Sequence, residues 1–223
     1  MTTLLLLRRE ATAARQTQAA IEATRDMRVA AVVSTLSAAR RHITQFAPDV
    51  LVTDLSLDDG AAISLLVELR RSGLTRERPK VMLVTPSAND VLLFGSISAG
   101  ADSFILDDAS AGQMVTSLRR MVLGEAAMNA SLALQVLGLF GVTTRANPTV
   151  NERTLDWSRG AADPLQLSRG EQHLLALLAQ GEAIGGVAVR LALSIESVGR
   201  RISNIYRKLQ WDLRSGSLAL HAG

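Results

Sequence analysis

The sequence predicts an α/β protein: a doubly wound, five-stranded parallel sheet domain, then a small all-α domain. Three observations carry this. Through residue 122, apolar runs of strand length alternate five times with helical patterns, joined by short turns, which is the signature of a parallel sheet with helices on both faces. After residue 164 no strand-like run recurs, and three helical segments follow one another with two short breaks. The charge is also uneven. Residues 1–140 hold 14 Lys+Arg and 14 Asp+Glu, whereas residues 164–223 hold 7 basic and 4 acidic side chains, so the net +3 lies at the C-terminal end. The predicted divisions are 1–124, a linker with a short helix at 125–163, and 164–223.

In chain order, the strands are expected at Leu4–Leu7, Val29–Val33, Val50–Thr53, Val81–Val84 and Ser103–Leu106. The helices are expected at about 11–24, 35–46, 60–72, 88–98 and 110–122. Sheets of this kind place their sites beyond the carboxyl ends of the strands. That directs attention to Arg8, Arg9, Asp54, Thr85 and Asp107. Asp58-Asp59-Gly60 reads as a turn with a helix start, and Thr75–Pro79 as a polar loop. Ser131–Leu139 is a short apolar, helix-like stretch. Gly141–Pro164 is polar and aperiodic, and reads as a linker.

The C-terminal stretch Leu167–Gln210 is the most informative. Ser168 with Glu171 three residues on is a capping box, in which the hydroxyl and the carboxylate each accept from an orphan backbone N–H. Leu174, Leu175, Leu177 and Leu178 follow on one stripe, and Gly181 ends the helix. A second segment runs from about Ala183 to Leu191. Ser194 opens a third, with Ile195, Val198, Ile202, Ile205 and Leu209 on one face. That leaves Ser197, Gly199, Arg200, Ser203, Asn204, Arg207 and Lys208 facing outward, with Arg201 near the edge. Guanidinium and ammonium groups suit phosphates and guanine edges, and amides and hydroxyls suit bases, so this face fits a DNA major groove. A solvated, merely solubilising face is the other reading of the same charges. The tail after Gln210 is short, with Leu213, Leu218 and Leu220 as its apolar residues.

Residues 167–210 resemble the helix-turn-helix of LuxR/NarL-type transcription regulators. The resemblance rests on Leu167, Glu171, Leu175, Ala179-Gln180-Gly181, Ala188, Arg190-Leu191, Leu193-Ser194, Val198, Ile205 and Arg207-Lys208-Leu209. It implies double-stranded DNA as partner and a homodimer on two half-sites. Gly199 and Arg201 stand where that family usually carries Lys and His, and Gly185 and Gly186 replace helix formers. An interior glycine costs roughly 1 kcal/mol relative to alanine.

Residues 3–124 resemble the receiver domain of two-component response regulators, through PDVLVTDLSLDDGAAISLLVELR and AGADSFILDDAS. By that match Asp54 falls at the phosphoacceptor, Thr85 at the hydroxyl that contacts the phosphoryl group, and Phe104 at the aromatic switch position. Two positions depart. Where receivers hold Mg²⁺ with an acidic pair, this chain has Arg8 and Arg9; where they carry a lysine after the last strand, it has Asp107. Phosphoryl transfer needs a cation to neutralise developing oxyanions, and Mg²⁺ wants oxygen ligands. Two guanidiniums cannot supply them, so Mg²⁺-dependent phosphorylation is not expected and no cofactor is called for. An arginine beside Asp54 would form a charge-assisted pair, bidentate in the best geometry. Otherwise Arg8 and Arg9 would turn to solvent.

Composition sets further bounds. There is no cysteine, hence no disulfide and no thiolate ligand; His42, His173 and His221 are far apart in sequence. No apolar run approaches the roughly 18 residues of a membrane helix, and MTTLLLLRRE is too short for a signal-peptide core, so a cytoplasmic protein without membrane attachment is expected. Trp157-Ser158-Arg159 only partly matches a cyclic-dinucleotide motif of some relatives and reads better as surface packing. No nucleophile–base pair points to an enzyme. Three functional readings remain open: a DNA-binding regulator whose degenerate receiver works without phosphate, answering to constitutive dimerisation or to an unknown protein or small-molecule effector; a regulator switched by phosphate on Asp54; and a protein-interaction adaptor with a decayed DNA surface.

Overall fold

The computed structural model describes residues 1–71, 78–142 and 166–215, and for Arg71 and residues 212–215 the backbone alone. The chain divides into two compact units, Met1–Leu123 and Gly124–Gly223. Each is described by itself.

The first unit is a five-stranded parallel sheet in the order β2-β1-β3-β6-β7. Its strands are β1 (Thr2–Leu7), β2 (Met27–Val33), β3 (Val50–Asp54), β6 (Lys80–Thr85) and β7 (Ser103–Leu106). Helices α1 (Ala11–Glu22), α2 (Leu36–Phe46), α3 (Ala62–Arg71), α4 (Val91–Ala99) and α5 (Ala111–Val122) connect them. All five expected strands and helices form. The sheet explains the run TTLLLL, because a central parallel strand is covered on both faces. Leu4 to Leu7 are each at most 1% exposed. On the α1/α5 side, Leu4, Leu6, Ile21, Val50, Val52, Met82, Met114 and Leu118 form one core.

Local chemistry sets the helix ends. Thr35 caps α2 through its hydroxyl, Asp90 caps α4, and Ser110 with Gln113 forms a capping box on α5. The Lys80 ammonium donates to the last-turn carbonyls of Met121 and Val122, closing the C-terminal end of α5. The turn at Asp58-Asp59-Gly60 contains more than a helix start. It is a small antiparallel hairpin of β4 (Ser56–Leu57) and β5 (Gly60–Ala61), with Gly60 at φ +136°. Asp59 does not serve α3; its carboxylate accepts from Leu36 and Ser37 at the start of α2. Most of the loop 75–79 lies outside the described residues.

The second unit holds α6 (Ala130–Leu139), α7 (Arg169–Ala179), α8 (Ile184–Arg190) and α9 (Ile195–Ser215). The capping box of α7 is present, with Ser168 N donating to Glu171 Oε2 at 2.7 Å. Gly181 takes φ +86° after it. Ser194 accepts from Ser197 N at 3.2 Å to open α9.

Two expectations need correction. The stretch 125–139 is no linker. Its α6 packs on α7 and buries Leu132, Ala133, Val136 and Leu137, so it belongs to the helical unit. The tail does not begin after Gln210 either: α9 runs on to Ser215, with no glycine or proline between Gly199 and its end. The remaining linker, with Trp157, and the end of the tail lie outside the described residues. No helix among the described residues is long and apolar enough to cross a membrane.

Leu6 lies at the centre of the first core, 0% exposed. Leu6→Ala should lower the unfolding free energy by about 2–5 kcal/mol, read from the urea midpoint at unchanged m-value. Ser168→Ala should cost about 1 kcal/mol through the lost cap.

Candidate functional site: a guanidinium-filled receiver pocket and a basic helix face

The carboxyl ends of the neighbouring strands β1 and β3 lie where the chain reverses its direction of winding across the sheet, and Asp107 after β7 reaches Arg8 there. Arg8 follows β1 and turns inward, 4% exposed. Its guanidinium has three separate partners. Nε lies 2.7 Å from Asp54 Oδ1, Nη2 lies 2.5 Å from Asp107 Oδ1, and Nη1 donates to Thr17 Oγ1 at 3.0 Å. The Nε contact is a close ion pair whose N–H is not aligned as a hydrogen bond. The pairing is therefore not a bidentate fork on Asp54. One cation bridges two carboxylates from different strands and ties them to α1.

Arg9 behaves differently. Its side chain is 53% exposed, 3.9 Å from Glu10, while its backbone N–H donates to Asp54 Oδ2 at 2.7 Å. Each expectation for the arginines thus holds for one of them: Arg8 turns in and Arg9 turns out. Asp54 keeps a raised carboxyl pKa. Burial is the largest cause, opposed by the Arg9 N–H and the Arg8 charge, and reinforced by Asp107.

Thr85 and Phe104 stand on the neighbouring strands β6 and β7. The Thr85 hydroxyl is fully buried and donates to Ser87 O at 2.8 Å, within its own loop. Phe104 is 7% exposed, packed inward. A cleft of about 230 Å³ opens at the cluster, lined by Arg8, Arg9, Glu10, Asp54, Asp90 and Asp107 among others. Among the described residues, no group of three or more His, Cys, Asp or Glu could hold a metal ion. The Arg8 guanidinium sits between Asp54 and Asp107, at the place where the resemblance to receivers would put Mg²⁺. Sequence reasoning missed Thr17; its position two turns into α1 gives no local signal that it meets Arg8.

In the helical unit, α9 buries Val198, Ile202, Ile205 and Leu209 at 0% exposure each. Arg200, Asn204 and Arg207 are exposed, and the Arg207 guanidinium donates to the Asn204 side-chain oxygen. Ser197, Ser203 and Arg201 are half-buried. Arg201 lies on the side nearer Glu171, and burial lowers its pKa against the pull of that carboxylate. Lys208 leaves the outward set: its ammonium donates to Glu171 Oε2 at 2.7 Å and to Gln166 O at 2.9 Å. Glu171 thus caps α7 and binds α9 at once.

Gly199 also leaves the outward face. It is buried where residues 125–127 cross α9. Ala126 N donates to Gly199 O at 3.0 Å, and the Tyr206 hydroxyl donates to Ala127 O at 2.5 Å. A Cβ on Gly199 would stand 2.9 Å from Glu125 Cβ, closer than packed carbons allow. The glycine is there for backbone approach, which a sequence cannot display because the crossing segment lies some 70 residues away.

Residues 9–119 match the family model of the response regulator receiver domain. The chain belongs to the response regulators. It is 28% identical over 85% of its length to the oxygen regulatory protein NreC of Staphylococcus haemolyticus, covering 82% of that protein. Against NreC of Staphylococcus epidermidis it is 26% identical, over 82% of this chain and 80% of the relative. In fold it is similar to the RcsB response regulator of Salmonella typhimurium, with TM-score 0.52, 16% identity and coverage of 96% and 98%. A structure of RcsB dimers bound to DNA aligns with TM-score 0.53 at 16% identity, over 96% of this chain and 98% of that one. The receiver-like sheet unit and the helical unit of this response regulator are thus the two parts that the resemblance anticipated.

A raised folded pKa means that the folded state binds the Asp54 proton more tightly than the unfolded chain. The contribution of Asp54 to stability is therefore fully present below its ordinary value near 4 and is lost as pH rises through the folded value. Asp54→Asn should accordingly gain stability relative to wild type as pH rises from about 4 towards neutrality, measured by urea unfolding across a pH series. Arg8→Ala strands two carboxylates and should cost about 3 kcal/mol at neutral pH, the lower end for a broken buried pair because Asp107 stays half in water. That loss should shrink in acid.

Proposed function

We propose that this response regulator is a DNA-binding transcription regulator whose receiver works without phosphate on Asp54. The observation that carries the second half is the Arg8 guanidinium between Asp54 and Asp107. Acceptance of a phosphoryl group by Asp54 would require a cation that stabilises the transferring oxyanions and is held by oxygen ligands. Arg8 is instead a resident cation with its donors already committed to Asp54, Asp107 and Thr17. Asp107 adds negative charge where an incoming phosphoryl group would also be negative. The pocket is a closed charge system that holds β1, β3, β7 and α1 in one arrangement.

DNA binding is assigned to α9, with Arg200, Asn204 and Arg207 in the groove, and Ser197, Ser203 and Arg201 at its margins. Arginines here meet phosphates or guanine edges, and Asn204 suits adenine. The fold likeness to RcsB, one structure of which holds its dimers bound to DNA, supports this reading. A homodimer on two half-sites suits a helix-turn-helix reader. Gly199, which departs from the family pattern, is explained by packing against Glu125 and so gives the adaptor reading little support. One observation keeps a phosphate switch in view: Asp54 is 19% exposed and opens on the cleft.

DNA affinity, followed by anisotropy, should be unchanged by a small-molecule phosphoryl donor with Mg²⁺, and Asp54→Ala should bind DNA as wild type does. A donor-dependent gain that disappears in Asp54→Ala would establish the phosphate switch instead. Arg207→Ala should weaken binding and reduce the slope of log affinity against log salt by about 1. Lys208→Ala should act mainly on domain stability.

A further inference from the structure

We infer that Trp211 is a DNA-contacting residue at the far end of the α9 reading face; this rests on the DNA-binding reading above. The continuation of α9 past Gln210 places Trp211 in the same stripe as Arg200, Asn204 and Arg207, at spacings of four, three and four residues. All four are exposed, and the indole is 57% exposed. Its opposite face is the buried one, through Ile205 and Leu209. The nearby cation Lys208 is turned away to Glu171, so the exposed indole continues the stripe of Arg200, Asn204 and Arg207.

The chemistry selects the occupant. Arg200 and Arg207 give the stripe positive charge, which suits a polyanion better than an apolar protein partner. From Arg200 to Trp211 the helix advances about 16 Å, whereas the major groove is about 12 Å wide. A straight helix whose first turns meet base edges therefore carries its later turn to the sugar–phosphate wall. There an indole fits in two ways: its Nε1–H is a donor with no acceptor character, matched to a phosphate oxygen, and its ring covers deoxyribose carbons. The contact is uncharged, so it adds affinity without releasing a counterion.

The test uses the full chain and a mixed-sequence DNA duplex at low salt. The protein has two tryptophans, so Trp157→Phe leaves Trp211 as the only indole reporter. Acrylamide quenching of Trp211 should fall on DNA saturation. Trp211→Ala should weaken binding roughly three- to tenfold with the salt slope unchanged and the helix content by circular dichroism retained. Trp211→Phe should lose less, because it keeps the ring contact. Quenching that is already weak before DNA is added, or that falls with protein concentration alone, would mean that the tail or a second copy covers the indole, and would overturn the inference. Unchanged affinity in Trp211→Ala, with Arg207→Ala impaired, would overturn it and leave the DNA-binding reading standing. Failure of the wild-type protein to bind the duplex would remove both.

Discussion

The guanidinium of Arg8 is almost wholly removed from water, and a charge in that position must find counter-charge and donors' acceptors or leave the fold unstable. It finds them on three elements at once. Asp54 ends β3, Asp107 follows β7, and Thr17 lies in α1. The pocket is therefore a fixed cross-link between elements that are distant in sequence. An ordinary receiver pocket holds acidic side chains that await a metal and a phosphoryl group. Here the positive charge is covalently part of the chain and cannot be exchanged, and Asp54 is left with a raised pKa by burial despite it.

The helical unit shows the same economy of shared side chains. Glu171 accepts at the N-terminus of α7 and pairs with Lys208 of α9, which ties the two helices together at that point. Residues 125–127 cross α9 at Gly199 and Tyr206, so the segment before α6 is part of what positions α9. These contacts narrow the basic face. Lys208 and Gly199 lie on its flanks, and Arg200, Asn204, Arg207 and Trp211 form its exposed line.

Much of this was legible beforehand. The strand–helix alternation gave the sheet, because a buried parallel strand must read as a continuous apolar run and a covering helix as a 3.6-residue stripe. The capping box at Ser168 and Glu171 was readable because both partners lie within one turn. The hairpin at Ser56–Ala61 was not, since two-residue strands have no periodicity to detect. Lys208 looked like its neighbour Arg207, and only its bonds to Glu171 and Gln166, distant in sequence, separate them.

By itself, the sequence determined the fold class, the two-part organisation, the place of Asp54 at a strand end and the basic helix, all of which depend on local pattern and on residue type. It also determined that the charges at positions 8, 9 and 107 differ from those of an ordinary receiver. Only the tertiary structure decided that Arg8 turns in while Arg9 turns out, that one guanidinium spans Asp54 and Asp107, and that Gly199 is a crossing point. The reason is physical. Which partner a long charged side chain takes depends on distances across the sheet and between helices, and those distances are set by packing rather than by neighbours along the chain.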